Sequence, residues 1–278
     1  MRELLKRGDF RLLLLALVLT MFGDRALILA NGIWVKSLTG SNSAAGLNIL
    51  LLVTPSVVSP FFGVVVDRVK RRPFLVVLNL SCAVAIVPLL FVRDAGQVWI
   101  IYAVSFLYGI ALLLNDAAVN GVLKSMLTED QLASANGVIQ TMREGLRLLV
   151  PIAGAGLFAV FGEQAVVVLD MVTLVLGAGT LLALRLRAAK PAPAEHKLLM
   201  EVAAGARHLF GSVRLRRLVL TTSTALLVIG FSETVIFAVI DALHRPPAYF
   251  GVLMTAQGVG AVLRAPPRPP SSGAAASS

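Results

Sequence analysis

Asp24 and Arg25 stand together inside an apolar stretch, and Arg147, Asp170 and Glu233 interrupt three others. A charge at the centre of a bilayer costs several kcal/mol, roughly 3 on insertion scales, so such a residue turns toward a cavity or a partner. Neighbours on a helix point about 100° apart, so Asp24 and Arg25 need not pair with each other. Asp24 is therefore the first candidate to carry a proton or to touch a substrate. The competing reading is a structural ion pair with another helix. Asp170 and Glu233 are further candidates of the same kind. Asn136, Gln140, Arg143 and Arg147 share one helical face. That face reads as a polar stripe lining a water-filled cavity, or, for Asn136 and Gln140, as plain solvation outside the membrane. Asp116 reads as solvated.

These residues have to be held by membrane helices. Of 278 residues, 57% are hydrophobic and 14% are charged, against about 25% charged in a soluble domain. The stretches 12–35, 44–66, 74–92, 98–115, 142–161, 164–184 and 218–240 are each long enough to span, and an eighth starts near 249 and stops at Leu263. The opening "MRELLKRGDFRLLLLALVLT" resembles a signal peptide but runs on to Trp34, so it reads as a retained first span. The net charge of +10 would suggest nucleic acid in a soluble chain. Here the basic residues at 2–11, 68–72, 124 and 185–217 fall on one side, leaving Lys36, Arg93 and Arg245 on the other. Orientation with the N-terminus cytoplasmic explains them, and no nucleic-acid partner is expected. Cys82 reads as a buried, inert thiol. No phosphate loop, zinc-ligand spacing or nucleophile motif is present. No cofactor, no metal and no enzymatic activity are expected.

The stretch "GVVVDRVKRR" ends the second span in a cluster of charge. Four basic residues would suffice as an anchor, but an anchor needs neither Asp67 nor Gly63. A glycine admits a close neighbour helix, and a carboxylate can pair with basic groups or with a helix N-terminus. The spacing of Gly63, Asp67, Arg68, Arg71 and Arg72 resembles the signature of the major facilitator superfamily, with Lys70 where many members carry Gly. The "FGD" at 22–24 and the stretch "TEDQLASANGVIQTMREGLRLLVPIAGAGL" are similar to the branch of macrolide-type and siderophore exporters. The Gly-Pro and glycine pair usual in that branch are reduced here to Val150-Pro151 and Gly154-Ala155. Pro151, Gly154 and Gly156 read as helix-packing positions. "TEDQ" at 128–131 fits a capping box that starts the fifth span.

The resemblance implies an all-α membrane bundle and proton-coupled export, by antiport, of small amphipathic molecules of drug or siderophore type through alternating access in the plasma membrane. It makes the Gly63–Arg72 motif a cytoplasmic latch between two halves. The expected organisation is a six-helix half over 1–187, a cytoplasmic loop with an amphipathic helix over 188–217, the seventh span and part of the eighth over 218–263, and a disordered tail over 264–278. Gly46 in the second span and Gly251 in the eighth echo one another, as parallel repeats do. The tail holds only Arg, Ala, Pro, Ser and Gly, all with GC-rich codons. It reads as a frameshifted continuation that truncates the second half and impairs transport. The alternative is a chain that transports nothing and modulates a full-length transporter, or one that forms a homodimer.

Overall fold

The structure, a computed structural model, describes residues 7–184 and 211–263. The tail 264–278, most of the central loop and the side chain of Glu233 lie outside the described residues.

Long apolar sequences with short turns fold into antiparallel neighbours. Helix α1 is Gly8–Thr39, ended by Gly40 in the left-handed region at φ 67, where a residue without Cβ costs least. The second span is not one helix: α2 is Asn42–Val53, a 3₁₀ turn covers Thr54–Val58, and α3 is Ser59–Asp67. Pro55 causes the break, because it has no N–H to continue the ladder. Helix α4 is Arg71–Ala85, continued by a 3₁₀ turn over Val87–Phe91 that begins at another proline, Pro88. Helix α5 is Val98–Met126, α6 is Glu129–Phe161 and α7 is Glu163–Ala183. The box at Thr128 starts α6, with the Thr128 backbone N–H donating to Gln131 Oε1 at 3.4 Å. Helix α8 is Val213–Ala242 and α9 is Phe250–Leu263.

Among the described residues, five helical segments are long and apolar enough to cross a membrane: Gly8–Thr39, Arg71–Phe91, Ala95–Met126, Glu129–Phe161 and Glu163–Ala183. Large apolar side chains cover the outside, with Val57 77% and Val160 74% exposed. That surface suits lipid rather than water. Helix α1 runs through the middle, packed on α7, α6 and α2. One apolar cluster, including Phe10, Leu75, Leu123 and Leu181, fills the end of the bundle that carries Arg68–Arg72. A second, including Trp34, Leu89, Ile101 and Val167, fills the opposite end. A third, including Ile33, Ala45, Phe237 and Phe250, joins α8 and α9 to α1, α2 and α6 at that opposite end.

Candidate functional site

The charged cluster at the basic end ties together helices of the first six spans. Arg71 Nη1 donates to Gly121 O of α5 at 3.1 Å. Arg72 Nε donates to Leu181 O of α7 at 3.0 Å, and its Nη2 contacts Leu182 O. Leu182 O lies at the end of α7, among the carbonyls a helix end leaves open, while Gly121 O and Leu181 O accept from the guanidinium groups as additional bonds. Asp67 pairs with Arg71, one turn on, at 3.2 Å, on the surface. A Cβ at Gly63 would meet nothing within 4 Å among the described residues, so none of the described helices packs there. The helix-tying contacts of Arg71 and Arg72 are thus in place.

Deeper in, α1, α5 and α7 bring three acidic groups together. Tyr108 Oη lies 2.6 Å from Asp24 Oδ1 and 2.6 Å from Asp170 Oδ2. Asp24 is 8% exposed and Asp170 0%. Gly23 makes this crossing. A Cβ there would run into Thr173 Oγ1 and Asp170 Oδ1 and lie 3.0 Å from Asp170 Cα. Thr173 Oγ1 donates to the Asp170 backbone carbonyl, and Asp170 Oδ1 has no hydrogen-bond partner among the described residues. Contacts of 2.6 Å are in the range of charge-assisted O–H···O bonds. A phenol brings one hydrogen, and each contact needs one. Both are satisfied when one of the carboxyls carries a proton.

Asp24 also faces a partly enclosed cavity of about 530 Å³. Its wall includes Arg25, Asp116, Arg143, Arg147 and Pro151, with Ile28, Leu112, Val150 and Met254 as apolar lining. Arg143 Nη2 pairs with Asp116 Oδ1 at 2.7 Å. Asp116 is thus an ion-pair partner as well as partly solvated. The polar stripe of α6 divides. Arg143 and Arg147 reach the cavity, while Asn136 and Gln140 are exposed and Gln140 donates to Glu144 at 2.8 Å. Gly154 packs against Ala26 of α1, where a Cβ would sit 3.3 Å from Ala26 Cα. Gly156 faces open space, so its expected packing role is not visible here. Cys82 is half-buried.

At the end of the bundle away from the basic cluster, α8 is tied to α1 and α2. Lys36 Nζ pairs with Asp241 Oδ2 at 2.6 Å, and Asn42 Nδ2 donates to the same oxygen at 2.9 Å. The Lys36 hydrogen bond, then that of Asn42, holds the Asp241 carboxyl below the usual carboxylate range. Beneath it, Phe237 stacks on Phe250 with centroids 4.5 Å apart. Gly251 sits so close to α6 that a Cβ would lie 2.5 Å from Ala155 Cβ and 2.6 Å from Pro151 O. Sequence reading missed Tyr108 and the Lys36–Asp241 pair, because neither belongs to a local pattern.

Comparison with known proteins agrees with this architecture. A family model described as Major Facilitator Superfamily matches residues 13–274. A relative called "Macrolide efflux protein A", from Enterococcus faecalis, is 26% identical over 149 residues, which are 53% of this chain and 46% of that protein. One of the same name from Streptococcus pyogenes is 27% identical over 151 residues, 53% of this chain and 37% of that protein. The matched segment thus spans less than half the length of either relative.

Proposed function

For a chain that belongs to the Major Facilitator Superfamily, we propose proton-coupled export of small amphipathic molecules by alternating access. Transport and efflux are the common ground of the family and of the named relatives. The observation that carries the proton step is the placement of Asp24, one member of a Tyr108-bridged carboxyl pair, on the cavity wall. Asp24 can exchange a proton with cavity water, and Tyr108 can pass the change to buried Asp170. A change of charge at that point alters the packing of α1, α5 and α7 together, since all three meet there. The Lys36–Asp241 pair joins α8 to α1 at the end away from Arg68–Arg72, and the Arg143–Asp116 pair stands on the cavity wall. With the N-terminus cytoplasmic in a plasma membrane, the Lys36–Asp241 pair lies on the outer side, and the Gly63–Arg72 cluster acts as a latch between the two halves in the outward-facing state.

The test is dye movement in proteoliposomes under an imposed pH gradient, with fluorescein, rhodamine 123 and Nile red as anionic, cationic and neutral probes. Protein-dependent movement of at least one dye should follow the gradient and be uncoupled by Asp24→Asn. Fluxes equal to protein-free vesicles for all three would overturn the proposal. Co-purification with a longer transporter would then favour a modulating role.

A further inference from the structure

Resting on the reading of the cavity as the transport site, we infer that it selects amphipathic oxyanions: a carboxylate, sulfonate or phosphate on an apolar body. The inference comes from counting which charges on the wall are already used. Asp116 is taken by Arg143 at 2.7 Å, and Asp24 Oδ1 is held by Tyr108. Among the described residues Arg147 has only Glu144 at 3.9 Å, and Glu144 also accepts from Gln140. Arg25 has no hydrogen bond or ion pair among the described residues, although Arg143, Arg147, Glu144 and Asp24 all lie within electrostatic range of it. Arg143 Nε is buried without a hydrogen-bond partner among the described residues. Guanidinium donors on one wall are thus left unfilled, in a bundle whose outer surface is made for lipid.

Cations inside a membrane protein are normally paired. A guanidinium presents a planar fork that fits a carboxylate or phosphate in a bidentate way. The missing partner is therefore supplied by the ligand. Apart from the amides of Asn115 and Gln257, the rest of the wall is mostly apolar, so the ligand has an apolar body, and 530 Å³ falls in the range of small-molecule sites, about 300–1,000 Å³. A free solute and an anionic lipid headgroup share this chemistry.

The experiment is binding of fluorescein, a dianion at neutral pH, and of rhodamine 123, a cation on a related ring system. Fluorescence anisotropy is read with the purified full chain in phosphatidylcholine nanodiscs. Fluorescein should bind more tightly than rhodamine 123. Arg25→Gln and the more exposed Arg147→Gln should each weaken fluorescein by roughly tenfold or more, as loss of a charge-assisted hydrogen bond does. Arg25→Lys should recover part of the loss, and added salt should weaken binding. If phosphatidylglycerol in the disc competes with fluorescein, and loses that effect in Arg25→Gln, the source is a lipid headgroup and the oxyanion chemistry holds. Equal or tighter rhodamine 123 binding, or fluorescein binding indifferent to both arginine variants, would overturn the inference. Charge-selective binding without gradient-driven flux would instead sink the export reading alone.

Discussion

Replacing Tyr108 with Phe removes one oxygen from a site where nothing nearby can take its place. Tyr108 is 4% exposed and Asp170 0%, so water does not readily fill in. The lost oxygen serves two carboxyls at 2.6 Å each. Hydrogen bonds to charged groups contribute about 1.5–3 kcal/mol net, and a buried polar atom left without a partner costs about 1–3 kcal/mol. Tyr108→Phe should therefore destabilise the folded chain by about 2–3 kcal/mol, far above the ~1 kcal/mol typical of point changes. The sharper reading is a double-mutant cycle with Asp170→Asn. If the phenol and the carboxyl act on each other, the double variant should cost less than the two single losses added, by about 1–2 kcal/mol. Equilibrium unfolding in a mild detergent supplies all four free energies. Single losses that add to within about 0.5 kcal/mol would refute the bridge, because groups in contact do not behave that way.

Gly23→Ala should force α1 from α7, since a Cβ there would lie 3.0 Å from Asp170 Cα and closer still to Thr173 Oγ1. Overpacking of that kind costs about 1–3 kcal/mol, whereas Gly156→Ala, which faces open space, should be neutral or slightly stabilising in the same unfolding assay. The Lys36–Asp241 pair should be pH-dependent with a fixed sign. The carboxyl is held below its ordinary value, so its contribution is present above the ordinary carboxylate range and is lost as pH falls through the lowered value. Acrylamide quenching of a tryptophan placed at Phe237, which stacks on Phe250 beneath the pair, reports this in a Trp34→Phe, Trp99→Phe background. Quenching should stay low from neutral pH down into the carboxylate range and rise below it, and Asp241→Asn should make it high throughout.

Much of this was legible in the sequence because membrane helices announce themselves. Apolar length matches five of the seven expected spans among the described residues, while 44–66 folds as three pieces and 218–240 is not among the five, and the cost of intramembrane charge singles out Asp24, Asp170 and Arg147. Periodicity placed Arg143 and Arg147 on one face, but it could not say where that face ends and solvent begins, so Gln140 was grouped with them. Two kinds of information were missing. Azimuth between helices is invisible in one sequence, so the pairing of Arg143 with Asp116 and the meeting of Asp24 with Asp170 had no signal. Tyr108, a phenol in an apolar run, looks like core until its neighbours are known. Gly23 carried a weak signal, standing directly before the suspicious Asp24, and its use is the helix crossing. Pro55 breaks its span while Pro151 lies inside a continuous α6, so an interior proline, which removes a ladder hydrogen bond, does not by itself say which helix breaks.

Asp24 and Arg25 are adjacent in sequence, both line the cavity, and each lies in the other's electrostatic range. That proximity fixes the sign of coupling between proton and ligand. A proton on Asp24 removes a negative charge beside Arg25, so an oxyanion and a proton assist each other's binding, and linkage makes the help reciprocal. Exchange of substrate against proton, the antiport that the family resemblance implies, needs a ligand that displaces the proton. A cation would do so, and an oxyanion would not. Fluorescein binding should therefore take up protons from a weakly buffered solution, and Asp24→Asn should abolish the uptake while leaving the dye bound. A dianion leaving with one proton still carries net negative charge outward, which an inside-negative membrane favours by about 2.3 kcal/mol per charge per 100 mV. Proton release on fluorescein binding would contradict this electrostatic linkage and restore exchange as the coupling.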